Sequence, residues 1–233
     1  MGDGMKPYHV VNFSGGKDST AMLLHMVELD MPIDEIIFCD TTAEFPQMYE
    51  HVDKVEAYIG RPITRLRREH SWEYMLLHHV KKNGTVGYSF PDFRNRWCTA
   101  YFKRDHIKSY LKDIRKTHSV IHYIGIAADE PKRIKEHRYP LVEWGWSEAD
   151  CLDYCKSKGF DWGGLYDVFT RLSCWCCPLK RLEELEALRK HFPELWDKLK
   201  EWESKTWRTF RSNCRLVDLE KKFDACDGQI SLF

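Results

Sequence analysis

The stretch that decides the fold is Tyr8-His9-Val10-Val11-Asn12-Phe13-Ser14-Gly15-Gly16-Lys17-Asp18-Ser19. Tyr8 to Phe13 is a short run rich in β-formers, and Ser-Gly-Gly ends it. A helical pattern follows, with Met22, Leu23, Met26 and Val27 on one side and Leu29 at its end. Strand, glycine turn and helix in that order build an anion site. The glycines permit a tight turn and close backbone approach. The free N–H groups and dipole at the helix start favour phosphate. Lys17 adds a full charge, and Ser14 and Ser19 add hydroxyl donors. The spacing matches neither the kinase-type phosphate loop nor the Gly-x-Gly-x-x-Gly dinucleotide turn.

Outward from this loop the pattern repeats. Glu35 to Asp40 is a second apolar run, and a helix is expected over Phe45 to Ile59, opening near Pro46. Ile63 to Leu66 and Val120 to Ala127 read as further strands, with a helix over Thr99 to Ile114 between them. Strands alternating with helices predict an α/β fold, a parallel sheet with helices on both faces. Ligands of such sheets sit beyond the strand C-termini, where the loops after Phe13, Asp40 and Ala127 meet. The last third differs. Leu182, Leu185 and Leu188 mark one helix, and Pro193 opens another carrying Leu195, Trp196, Leu199 and Trp202. The expected division is a nucleotide-binding α/β unit with a Cys-rich segment over 1–178 and a helical C-terminal cap with a flexible tail over 179–233. Residues 81–96, rich in Gly, Asn and Pro, are the expected mobile loop.

Composition narrows the class. Of 233 residues, 43% are apolar and 31% charged, as a packed domain requires. The 36 basic and 36 acidic side chains cancel, so anion binding must come from local patches such as Arg65, Arg67 and Arg68, or Lys103, Arg104 and Lys108. No run approaches the roughly 20 apolar residues of a membrane span, and the first residues carry no secretory pattern. A cytoplasmic protein with no membrane partner is expected. There are nine cysteines. In a reducing compartment that count points to metal or redox chemistry rather than disulfides. Cys174-Trp175-Cys176-Cys177-Pro178 puts three thiols in four positions. Cys151 and Cys155, four apart on an expected helix, and Cys39, in a strand, read as packing residues. The eleven histidines show no ligand spacing, and Trp144, Trp146 and Trp162 read as core.

Ser14-Gly15-Gly16-Lys17-Asp18-Ser19 resembles the PP-loop of the adenine-nucleotide α-hydrolase superfamily. Further segments resemble its phosphoadenosine phosphosulfate (PAPS) reductase branch. These are Phe38-Cys39-Asp40-Thr41 with Glu44-Phe45-Pro46, the run Gly125 to Arg133, Pro140-Leu141 with Trp146 to Asp150, and Leu165-Tyr166 with Cys174 and Cys177. The resemblance runs from about Tyr8 to Pro178. It implies an enzyme acting at the α-phosphate side of ATP or a sulfonucleotide (PAPS or APS), in sulfur transfer or adenylylation, with Mg2+ as a possible companion. Its nucleotide-binding residues would be Ser14, Gly15, Gly16, Lys17, Asp18, Ser19, Asp40, Thr41 and Gly125, and its catalytic residues Lys17, Asp18 and Arg133, with Lys132 near the phosphates or sulfate.

Relatives with a [4Fe-4S] cluster carry a tandem Cys-Cys before a distant Cys-x-x-Cys. Here Cys98 stands alone at the place of the pair. The implied ligands are Cys98, Cys174 and Cys177, with Cys214 or Cys176 as the fourth; Zn2+ is the alternative metal. Reductases of the branch also carry a C-terminal Glu-Cys-Gly-Leu-His nucleophile. Cys226 lies at that place, flanked instead by Asp224 and Asp227, which disfavour a thiolate. Genuine PAPS or APS reduction by Cys226 is therefore the alternative reading. A third is a nucleotide-sensing accessory protein without turnover. The last five residues, Gln229-Ile230-Ser231-Leu232-Phe233, resemble the peptide by which bacterial proteins dock on the replication sliding clamp, which would make a nucleic acid the acceptor.

Overall fold

The computed structural model describes residues 5–230. Four strands, β1 (Lys6–Phe13), β2 (Glu35–Asp40), β3 (Thr64–Arg67) and β4 (His118–Ile124), form one parallel sheet in the order β3-β2-β1-β4. Val10 sits beside Glu35 of β2 and His122 of β4, so β1 is central. Its alternating side chains serve two cores. Val11 and Phe13 face α1 (Lys17–Glu28) and α2 (Pro46–Ile59), where Met22, Met26, Met48 and Val52 are buried. Val10, with Ile37 and Leu66, packs against Leu111 on the other face. Burial on both faces is why these strands read as short apolar runs.

The helix expected over Thr99 to Ile114 is shorter and distorted. A single helical turn (Trp97–Thr99) passes into a π-helical stretch (Ala100–Arg104) and an α-helix (Asp105–Tyr110). The chain then turns through a short 3-10 segment (Ile114–Lys116). Apolar spacing cannot reveal a π-turn, which inserts one residue without changing composition.

The helices Leu182–His191, Pro193–Lys205 and Leu216–Ile230 form the C-terminal part. Pro193 begins the second of them, where its missing N–H costs nothing. This part is welded to the sheet domain by aromatic packing. Trp202 stacks on Trp72 at 5.4 Å and meets Trp175 at 4.9 Å, and Phe45 meets Phe192 at 5.1 Å. The last helix takes in Asp227 and Gly228, the lead-in of the expected flexible tail. The side chain of Cys226, and Ser231, Leu232 and Phe233 of the expected clamp peptide, lie outside the described residues. Among the described residues no helix is long and apolar enough to cross a membrane.

Candidate nucleotide site

The loop after β1 is locked by contacts that only small residues allow. Gly15 has φ +79°, and a Cβ there would lie 2.4 Å from Met48 Sδ. Gly16 then caps α1 in an extended conformation. The Ser14 and Ser19 hydroxyls lie 2.9 Å apart, and Ser19 Oγ donates to the Gly16 carbonyl at 3.0 Å. Side chains from far along the chain hold the loop from behind. Trp162 Nε1 donates to the Gly15 carbonyl at 2.6 Å, and the Lys17 amide donates to Tyr166 Oη at 2.7 Å. His51 stacks on Trp162 at 4.4 Å with its Nε2 2.9 Å from Thr20 Oγ1. Burial pushes the His51 pKa down to about 3, so this ring stays neutral.

A cavity of about 100 Å3 opens over the loop, with Ser14, Lys17, Ser19, Gly125 and Arg133 in its wall. It has room for a phosphate-sized group, so the rest of a nucleotide would lie outside it. Lys17 is buried, in an ion pair with Glu148 and 3.6 Å from Asp18 Oδ1. Arg133 pairs with Glu130. Both cations thus already hold carboxylates, which an incoming phosphate would replace.

Asp18 is the most perturbed acid of the site. Burial raises its pKa to about 6, Lys17 opposes this, and Glu148 and Glu130 add to it. Its Oδ1 accepts no hydrogen bond among the described residues. Above about pH 6 this carboxylate is charged and repels an anion; below it the repulsion is gone. In the absence of divalent metal, phosphate affinity is therefore expected to rise as pH falls through about 6, and Asp18→Asn should flatten that component. Calorimetric titration of both proteins with one nucleotide between about pH 5 and pH 8 checks this. Parallel profiles would take Asp18 out of the site.

Ser14, Gly16, Lys17, Asp18, Ser19, Gly125 and Arg133 line this one cavity. Gly15 lies in the turn beneath them. Asp40 and Thr41 do not join this cavity. Asp40 Oδ1 accepts from the Thr42 amide at 2.7 Å and from Tyr49 Oη at 2.8 Å, bracing the turn after β2. Thr41 Oγ1 donates to Glu44 at 2.7 Å and lies 3.3 Å from Cys174 Sγ. Both side chains are committed to the protein before any ligand arrives. Glu130, Glu148, Tyr166 and Arg171 line the cavity but are absent from the expected set. Glu148 and Tyr166 stand in the quoted segments, yet nothing local marks them as partners of a loop 130 or more residues earlier.

Six of the cysteines fall into two groups. Cys151 and Cys155 are fully buried, and the Cys155 thiol donates to the Lys17 carbonyl at 3.6 Å, beneath the loop. Burial raises both thiol pKa values, that of Cys151 to about 12. Cys98 interacts electrostatically with Cys176 and Cys177, and Cys174 with Cys176 and Cys177; burial is the main cause that raises Cys98, Cys174 and Cys176. The Lys180 ammonium, 2% exposed, feels these thiols and Glu184 but makes no hydrogen bond among the described residues. Cys176 shares this neighbourhood. Cys214 sits in the turn before the last helix, its thiol 3.7 Å from the Arg215 carbonyl. The donor chemistry suits a thiolate-held group beside a buried cation. As the side chains stand, no three His, Cys, Asp or Glu among the described residues are arranged to hold a metal ion.

A parallel sheet with this glycine loop and a converging lysine, arginine and serines defines a phosphate-binding α/β protein of the PP-loop kind. The chain belongs to the phosphoadenosine phosphosulfate reductase domain family, whose model matches residues 8–180. An uncharacterized protein of Methanocaldococcus jannaschii is 31% identical over 209 residues, covering 84% of this chain and 40% of its own length. A 37.8 kDa protein of Escherichia phage 186 is 25% identical, covering 84% and 74%. A nin-region protein of Escherichia phage lambda is 28% identical, covering 66% and 60%. The chain thus spans less than half the length of the two archaeal relatives it matches. Among solved structures it is similar to a PAPS reductase from Candida auris in a phosphate complex, with TM-score 0.48 and 19% identity over 73% of this chain and 81% of that one. It is also similar to an FMN adenylyltransferase from Candida glabrata, with TM-score 0.45 and 15% identity over 71% and 53%.

Proposed function

We propose that this protein binds an adenine nucleotide by its phosphates and acts at the α-phosphate side of ATP or a sulfonucleotide. The observation that carries the reading is the convergence of Lys17, Arg133, Ser14 and Ser19 on one cavity at the C-terminal edge of the sheet. In this reading the serine hydroxyls and loop amides hold the phosphate oxygens. Lys17 leaves Glu148 for the nucleotide, and Arg133 leaves Glu130 to neutralise charge that develops on the leaving group. Three carboxylates, Asp18, Glu130 and Glu148, remain at the cavity wall, which favours a nucleotide delivered with Mg2+. Supplying ATP, or PAPS together with a dithiol reductant, and following the products separates the chemistries. Pyrophosphate from ATP supports adenylyl chemistry. Sulfite from PAPS that disappears in Cys226→Ser supports reduction, and tight binding without product supports a sensing role.

The proposed ligands of an iron–sulfur cluster or zinc ion are Cys98, Cys174 and Cys177, with Cys176 or Cys214 completing the set. Such a group would tie the segment around Cys98 to the 174–177 turn, with Lys180 as its counter-charge. Protein prepared without oxygen is expected to hold about four iron atoms per chain. One zinc per chain would replace the cluster with a structural site, and metal-free protein would end both readings.

A further inference from the structure

Two large aromatic side chains stand unusually far into solvent: Trp207 is 56% exposed and Phe93 71%. They belong to two segments, 79–96 and 206–215, that are fastened to each other. Phe90 packs edge-on against Phe210 at 5.0 Å, and Arg208 Nη2 pairs with Asp92 Oδ2 at 2.6 Å. Trp207 Nε1 donates to the Gly87 carbonyl at 3.3 Å. That bond fixes the polar edge of the indole and leaves the ring presented on the surface. A cleft of about 310 Å3 lies between the two segments, bounded by Pro91, Asp92, Trp207 and Asn213.

Cations are interleaved with these rings. Lys81 Nζ lies 4.9 Å from the centroids of both Tyr88 and Trp207. The Arg94 guanidinium is 5.3 Å from the Phe93 ring. Lys82, Arg94, Arg96, Arg211 and Arg215 form no ion pair among the described residues. Within the two segments Asp92 is the single carboxylate against seven Lys and Arg side chains, and it pairs with Arg208. Glu203 and Asp218 lie beside them, accepting from the Phe210, Leu216 and Arg215 amides. In a chain of zero net charge this is a local concentration of positive charge around exposed π-faces.

We propose that this surface binds single-stranded nucleic acid, with bases stacked on Trp207 and Phe93 and the phosphodiester backbone against the cations. Unpaired bases have faces to offer the rings, and each nucleotide brings one negative charge; a duplex hides the faces. The other basic groove, between the helix Asp105–Tyr110 and β4, is lined by Lys103, Lys108 and Arg115 with the smaller rings of His122 and His137, but by no Trp, Tyr or Phe. It supplies the control. The proposal does not depend on what the phosphate loop binds.

The test is fluorescence anisotropy of a labelled oligothymidylate titrated with the full chain, without nucleotide. Binding is expected to weaken with salt at a log–log slope of about −2 to −3, as three or four neutralised phosphates give. Phe93→Ala with Trp207→Ala should lose about tenfold or more in affinity at nearly the same slope, while Trp207→Phe keeps most of it. Lys82→Glu with Arg94→Glu, exposed positions that leave packing intact, should weaken binding and flatten the slope. Lys108→Glu in the other groove should change little. No binding by the unaltered chain at low salt would overturn the proposal. So would a loss confined to Lys108→Glu, or full affinity in both double variants with unchanged thermal melting.

Discussion

Trp202→Ala is expected to destabilise the whole chain by about 3–5 kcal/mol, read as a shift of the denaturant midpoint. Trp202 is 2% exposed and lies between Trp72 of the sheet domain and Trp175 of the cysteine segment. Truncation opens a cavity that the two neighbouring rings cannot fill. A domain of this size has about 5–15 kcal/mol in total, so the loss is a large fraction. Because the rings join the C-terminal helices to the sheet, unfolding should remain one transition. Trp202→Phe should cost less. The Trp202 Nε1 is buried without a hydrogen-bond partner among the described residues, and Phe removes that unsatisfied donor along with some volume. A sheet domain that melts at its original midpoint after the cap has melted would show instead that residues 179–233 fold separately.

Gly125→Ala is the second large effect, and it acts on the site. Gly125 closes the cavity at the end of β4, and a Cβ there would lie 2.7 Å from both Ser19 N and Ser19 Cα. The obstacle is backbone at the start of α1, which cannot turn aside as a flexible side chain would. Accommodating the methyl must push β4 from the loop. The expected cost is about 1–3 kcal/mol in stability and about tenfold or more in nucleotide affinity. Gly145→Ala provides the contrast: its φ of +73° makes Ala strained, but a Cβ there meets nothing within 4 Å. That change should lower stability by about 1 kcal/mol and leave nucleotide binding alone. Equal affinities for the two variants would show that the close approach of Gly125 to Ser19 does not shape the site.

What the sequence made legible follows from how local each signal is. β2 lies over Glu35–Asp40 as read, because an apolar run closed by Asp-Thr-Thr is a complete signal within ten residues. The other strands shift by one to three residues, since apolar runs do not mark their own ends. The phosphate loop was legible because strand, glycines, lysine and helix are contiguous. Trp162 reads as core and is core, but its indole bond to Gly15 could not be read from spacing. The same holds for Glu148 on Lys17 and Tyr166 beneath it: these contacts span 131 and 149 residues, and only the folded chain brings them together. Asp40, marked by the resemblance as a residue beside the nucleotide, also braces the turn after β2 through its Oδ1, a role that its place at a strand end allows. Among the cysteines, Cys176 is buried beside Cys174 and Cys177 by the tight 174–177 turn, whereas Cys214 comes from a separate turn before the last helix.

The central claim is that the loop is a nucleotide phosphate site, and Lys17 tests it most directly. Lys17 is nearly buried, its charge is aimed at the cavity, and no neighbouring lysine lines the same wall to replace it. The measurement is calorimetric titration of the unaltered chain and Lys17→Ala with ATP and with PAPS. The predicted result is binding by the unaltered chain and a loss of about 1.5–3 kcal/mol in the variant, roughly 10- to 150-fold in affinity, for whichever nucleotide binds. Equal affinities of the two proteins, with both folded by their melting curves, would contradict the account.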